Sequence, residues 1–169
     1  MLKRILYGAV AIVALIAIVA IVGSFLPKGH RASRTMIYKA PTSAVFAAIT
    51  DVEQFPNWRS DIQSVEVLGN DGRGMRFRET SSQGVVTYRV VLREPDKKLV
   101  TRIDDPSLPF GGSWTLEIQP VPEGTSLTIT EDGEVYNPIF RFMSKVIFSP
   151  YSTIDRYHAD LQKRTENGK

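Results

Sequence analysis

From Ile5 to Leu26 the chain carries no charged residue. Those positions are mostly Ala, Val, Ile and Leu, and no face of a helix drawn through them is polar. Twenty-two residues at a rise of about 1.5 Å span about 33 Å, against a bilayer hydrocarbon core of about 30 Å. A helix satisfies every backbone group of such a run within the run itself, which lipid requires. Residues 1–27 are therefore expected to form a membrane anchor with a short N-terminal tail. Two alternatives stand beside it. A cleaved signal peptide has a shorter apolar region, about 7–15 residues, ahead of a small-residue cleavage site, and Val22-Gly23-Ser24 before Phe25-Leu26-Pro27 is a poor one. A helix buried in a soluble core is the other. Lys3 and Arg4 precede the run and Lys28, Arg31 and Arg34 follow it, so the charge asymmetry that orients anchors leaves the side of the domain open.

The rest of the chain is expected as a juxtamembrane linker at 28–33, one domain at 34–165, and a disordered tail at 166–169. Roughly 130 residues suffice to bury a core. Net charge is +3, from 21 Lys plus Arg against 18 Asp plus Glu, too small and scattered an excess for nucleic acid. With no Cys, thiolate metal sites, disulfides and a Cys nucleophile are excluded, and the two histidines, His30 and His158, are far apart in sequence. No metal and no cofactor are expected.

Thr35–Lys39 reads as a strand. Thr42 or Ser43 is placed to cap a helix through Val45, Phe46, Ala48 and Ile49, and Asp51 to cap a short one ending at Pro56-Asn57-Trp58. Six strands follow: Gln63–Leu68, Met75–Thr80, Val85–Arg93, Leu99–Ile103, Ser113–Gln119 and Thr125–Glu131. Gly, Pro, Asn and Asp clusters separate them, so neighbours pair antiparallel. A helical pattern from Pro138 to Lys163 closes the chain, broken or kinked at Pro150.

Alternation assigns one apolar face to the sheet: Met75, Phe77 and Glu79; Val86, Tyr88, Val90 and Leu92; Trp114, Leu116 and Ile118; Leu127, Ile129 and Glu131. Arg76, Arg78, Arg89, Arg93, Arg102, Glu117, Thr128 and Thr130 fall on the other, solvated face. Glu79 and Glu131 stand out on the apolar side. A buried carboxylate needs a partner or a raised pKa, so each is either a ligand contact or acid–base group, or else lies at a strand end near solvent or pairs with an arginine such as Arg141. Asp51 and Arg59 read as a helix cap and a surface charge. His158 and Asp160, two apart on a helix, do not face each other. Gly111-Gly112 suggests a bulge or close backbone approach.

Three segments carry a resemblance. Ala40-Pro41-Thr42-Ser43-Ala44-Val45-Phe46 runs on to Thr50-Asp51-Val52-Glu53-Gln54-Phe55-Pro56-Asn57-Trp58; Gly112-Ser113-Trp114-Thr115 leads to Gly124-Thr125-Ser126-Leu127; and a long helix follows Asn137-Pro138. Together, over about residues 33–164, they resemble the START-like or SRPBCC superfamily, the polyketide cyclase/dehydrase and lipid transport proteins. The resemblance implies an α+β helix-grip fold, a curved antiparallel sheet of six to seven strands wrapped around a long C-terminal helix, with a cavity between. In that fold Trp58, Phe77, Tyr88, Phe110, Trp114, Phe140 and Tyr157 are the candidate ligand-binding residues. The expected role is binding of a hydrophobic small molecule or lipid at a membrane crossed once, the inner membrane in a bacterium. Two alternatives remain: a cyclase- or dehydratase-like enzyme using Glu79, Glu131 or Tyr88, and a protein-interaction module whose partner the sequence does not name.

Overall fold

The computed structural model describes residues 2–147, 149 and 151–166. Pro150, and all but the first residue of the expected tail, lie outside the described residues. Helix α1 (Leu2–Phe25) is followed by strand β1 (Gly29–Tyr38), helix α2 (Thr42–Thr50), a 3-10 turn (Val52–Gln54) and the single turn α3 (Phe55–Trp58). Six strands come next: β2 (Ile62–Asn70), β3 (Met75–Ser81), β4 (Gly84–Glu94), β5 (Lys98–Ile103), β6 (Phe110–Val121) and β7 (Gly124–Val135). Helices α4 (Pro138–Ile147) and α5 (Ser152–Glu166) end the chain.

Alternating apolar residues between short turns make a seven-stranded antiparallel sheet in the order β1-β7-β6-β5-β4-β3-β2. The sheet packs against α2, α3 and α5, the arrangement of a helix-grip fold. Tyr38, Val45, Ile49, Leu116, Leu127, Ile129, Ile154 and Leu161 form the main core where β1, β7 and β6 meet α2 and α5. A smaller cluster of Val52, Phe55, Ile62 and Phe77 lies where the 3-10 turn and α3 meet β2 and β3.

Five local expectations are corrected. No linker intervenes at 28–33, because β1 begins at Gly29 and pairs with β7 from Gly29–Glu134 to Tyr38–Thr125. The last strand, expected to end at Glu131, runs on through Asp132-Gly133 in this ladder, and the His30 ring lies over Gly133. The first helix has Pro41 at its N-cap with no side-chain hydrogen bond, and the Asp51 side chain caps nothing. Arg89 and Thr130, assigned to the solvated face, are buried. Arg89 is pinned by Asp71 and by Asp104 Oδ2 at 2.8 Å, charged bonds that offset its desolvation. Finally, a register shift between Val90 and Leu92 turns Leu92 outward and brings Arg93 over the Phe46 ring, 5.6 Å from its centroid.

Gly112 has φ +132° and lies against the Asp132 carbonyl, the close backbone approach its sequence suggested. Helix α1 stands apart from the core. Its span Lys3–Phe25 has a mean hydropathy of 3.0, is exposed along nearly all its length apart from Gly23, and is long and apolar enough to cross a membrane.

Candidate functional site: an apolar cavity with a buried ionic cluster

A cavity of about 370 Å3 lies between the inner face of the sheet and α2, α3 and α5. Alternation along β3, β4 and β6 points Phe77, Tyr88, Val90, Trp114 and Leu116 into it, and α5 contributes Tyr157. Phe77 and Tyr88, paired across β3 and β4, stack with centroids 5.5 Å apart. A second cavity, of about 480 Å3, adjoins it at the other end of the sheet. Tyr88, Phe110 and Trp114 line both. The second is bounded by Pro27–His30, the end of β7 and α4.

Of the seven aromatic candidates, Phe77, Tyr88, Phe110, Trp114 and Tyr157 line the first cavity. Phe140 lines the second, on the exposed flank of α4. Trp58 lines neither. It sits edge-on to Phe55 and Tyr157, centroids 5.5 and 5.4 Å away, and borders a small cleft between α2 and the end of α5.

The polar end of the first cavity is built from three charged residues. Arg59 follows the last residue of α3, where the chain leaves helical geometry, and its side chain turns inward. Its Nη1 donates to Glu79 Oε1 at 2.7 Å, and its Nη2 and Nε donate to the two Asp61 oxygens at 3.0 and 3.4 Å. The guanidinium lies 5.1 Å from the Tyr157 ring centroid and 5.2 Å from that of Phe55. Arg59 and Glu79 side chains are 10% and 8% exposed, so both charges are largely out of water. Burial pushes the Glu79 carboxyl above its usual range in spite of Arg59, and Asp61 adds to the rise. Two carboxylates against one guanidinium leave the cluster one negative charge when all are ionised, so a proton or a ligand's hydrogen-bond donor is favoured at Glu79. Burial also raises the Tyr88 and Tyr157 phenols, which stay neutral donors.

Glu131 is not at a strand end, since β7 runs to Val135. It lines the second cavity 3.5 Å from His30 Nε2, and burial raises its pKa. Neither glutamate pairs with Arg141. Its donors instead meet the carbonyls of Gly23, Ser24 and Leu26, at the end of α1. Glu79's own placement was the available signal for Arg59: a carboxylate on an apolar face demands a cation, and Arg59 adjoins an element packed over that face. Asp61 gave no signal of its own. Among the described residues, no group of three or more His, Asp or Glu is set to hold a metal.

His158 and Asp160 look different ways. Tyr38 Oη donates to His158 Nδ1 at 2.6 Å, and Nε2 lies 3.3 Å from the Arg34 carbonyl, so the neutral ring with its proton on Nε2 satisfies both. Asp160 accepts from the backbone N–H and hydroxyl of Ser60 at 2.8 and 2.6 Å. Both residues brace the fold rather than the cavity.

The fold is shared with solved structures. A START superfamily protein from Mycobacterium smegmatis matches at 22% identity over 83% of this chain and 99% of its own, with a TM-score of 0.66. The Zhui aromatase/cyclase from Streptomyces matches at 14% identity over 82% of this chain and 94% of its own, also with a TM-score of 0.66. A norcoclaurine synthase from Thalictrum flavum gives 9% identity, coverage of 83% and 96%, and the same TM-score of 0.66. No curated protein matches the sequence. The family profile of polyketide cyclase/dehydrase and lipid transport proteins matches residues 29–163, from the first residue of β1 to the last turn of α5. By that match the chain belongs to the polyketide cyclase/dehydrase and lipid transport family.

Proposed function

We propose that this protein binds a hydrophobic small molecule or lipid in the cavity between sheet and α5, and that α1 holds the domain at a membrane as a single-pass anchor. One observation carries the reading. The cavity walls are mostly apolar and aromatic, and apart from Arg93 the charge is gathered in the Arg59–Asp61–Glu79 cluster, so an amphiphile fits with its tail along Phe77, Val90, Trp114 and Leu116 and its polar end at Arg59 and Glu79. The length of α1 and the exposure of its apolar side chains support the anchor.

The test is native mass spectrometry of the full chain in mild detergent, followed by organic extraction. A hydrophobic species at near one-to-one ratio, lost in Trp114→Asp, is the expected result. An apo mass that persists after incubation with membrane lipid extract sinks the proposal.

A second reading, enzymatic turnover, rests on Glu79. Its raised pKa and its position at the cavity's polar end suit a general acid or base. Glu79→Gln distinguishes the two. Conversion of the bound molecule that stops while binding persists establishes catalysis; a bound molecule recovered unchanged by both forms leaves binding alone.

A further inference from the structure

The end of α1 and the start of α4 are locked together. Gly23 is buried, and a Cβ there would run into the Pro138 carbonyl. The last carbonyls of a helix have no partner within it. Here Arg141, itself 7% exposed, supplies one: its Nη1 donates to Leu26 O at 3.1 Å and Gly23 O at 3.3 Å, while Nη2 donates to Tyr136 O at 2.9 Å. Arg141 is thus a cap on α1 carried by α4, its positive charge at the negative end of the α1 dipole. Asn137 caps α4 in turn, its Oδ1 accepting from the backbone N–H of Ile139 at 2.9 Å, with Pro138 in the first helical position.

This clamp fixes the height of α4. Gly23 lies inside the apolar run, about 4.5 Å of helix rise before Leu26. A bilayer that receives α1 therefore has the N-terminus of α4 at its boundary. Away from Arg141, α4 presents Ile139, Phe140 and Met143 to solvent, Met143 one turn after the other two, with the exposed Tyr136 ahead of them and the exposed Phe25 at the end of α1. Phe140 alone is 55% exposed and Phe25 85%, which water disfavours. Lys28 and Lys145 line the second cavity beside α4, suited to anionic headgroups. The second cavity opens here, between Pro27–His30 and α4, with Phe140 and Met143 on its rim.

From these contacts we infer that α4 is a second membrane element: an interfacial helix set by Arg141 at the boundary of headgroups and acyl chains. The cavity beside it faces the bilayer, so an apolar ligand passes between membrane and protein without crossing water. The inference rests on the anchor and cavity of the proposed function, and commits to a lipid surface as the occupant because the α4 face is continuous with the end of α1.

The absence of native Cys allows single-site labelling of the full chain. Phe25→Cys, Phe140→Cys and Glu123→Cys, the last in the turn at the far end of β6 and β7, receive an environment-sensitive fluorophore in phosphatidylcholine–phosphatidylglycerol vesicles. Lipids brominated on their acyl chains act as the quencher. Emission from positions 25 and 140 is expected to fall about twofold or more while position 123 is unchanged, as for a helix buried to the acyl boundary. Adding Arg141→Met should return position 140 to the level of position 123 and leave position 25 quenched. Quenching at 25 but not at 140 overturns the α4 contact and leaves the anchor standing. Quenching at neither overturns the anchor, and the inference with it. Disulfide capture of two copies through position 140, in place of quenching, assigns the face to self-association and also overturns the inference.

Discussion

The two halves of the grip are built from the same alternating strands and fill differently. Where β1, β7 and β6 meet α2 and α5, side chains close on one another: Tyr38, Ile49, Leu127, Ile129, Ile154 and Leu161 are fully buried. Toward β4 and β3, and at the Trp114 end of β6, the same sheet face borders the cavity, and Tyr88, Val90 and Trp114 are only partly buried. The packed half supplies stability, since each filled aliphatic position contributes about 1.5–3 kcal/mol of burial. The hollow half forgoes dispersion contacts and, on the proposed reading, keeps room for another molecule. Hydrophobicity does not separate the halves; what separates them is how completely helix side chains fill the space opposite.

This contrast is open to attack by mutation. Leu127→Ala, in the packed half, is expected to cost about 2–5 kcal/mol in a denaturant titration and to leave ligand retention per folded molecule unchanged. Glu79→Ala, at the boundary, leaves Arg59 buried with Asp61 alone and is expected to cost about 3 kcal/mol. Glu79→Gln, which keeps an acceptor for Arg59, should recover most of that loss. Trp114→Ala, in the hollow half, is expected to cost only about 1–2 kcal/mol, because one flank of the ring already lacks neighbours, yet to lower the bound fraction of hydrophobic ligand severalfold. If Leu127→Ala and Trp114→Ala cost the same, the halves are not distinct.

The smallest effect is a pH dependence in the packed half. Burial holds the His158 pKa below its ordinary value, against the pull of the Arg34 carbonyl and Asp155. The unfolded chain then binds the proton more tightly than the folded one, so stability is lost as pH falls through the unfolded pKa. Acidification from about pH 7.5 to about 5.5, across the ordinary histidine value of about 6.5, should lower the urea midpoint, and His158→Gln should flatten that slope. An unchanged slope in the variant would place the acid sensitivity elsewhere.

Much of the architecture was legible in the sequence because strand alternation and turn clusters are local signals. All seven strands, the short helices after Pro41 and the division of the C-terminal helical segment can be read in that way. The inward face of β3 was legible too, Glu79 included. The candidate site was less so. The shift after Val90 reverses the outward and inward order of Leu92 and Arg93, and no residue there announces it. Arg59 read as a surface charge because nothing local shows which way a chain turns on leaving a one-turn helix. The start of β1 was missed since Gly29 and the residues after it carry a weak strand signal. Their place in the sheet depends on β7, about a hundred residues away.

The missing linker bears on how such a protein can work. Only Leu26, Pro27 and Lys28 separate α1 from β1, and the Lys28 carbonyl already accepts a hydrogen bond from Val135 N–H at 2.8 Å. Three residues reach about 10 Å at full extension. With α1 in a bilayer, the domain has no leash. It cannot cross a gap to a facing membrane, as a carrier on a long flexible tether can, and its orientation to its own membrane is nearly fixed. What it gains is local concentration, for a binding site held within one protein diameter of a surface meets that surface's molecules continuously. On the proposed reading, delivery to any second site falls to whatever comes to meet it, and the protein is a fixed station on the membrane with no travelling role.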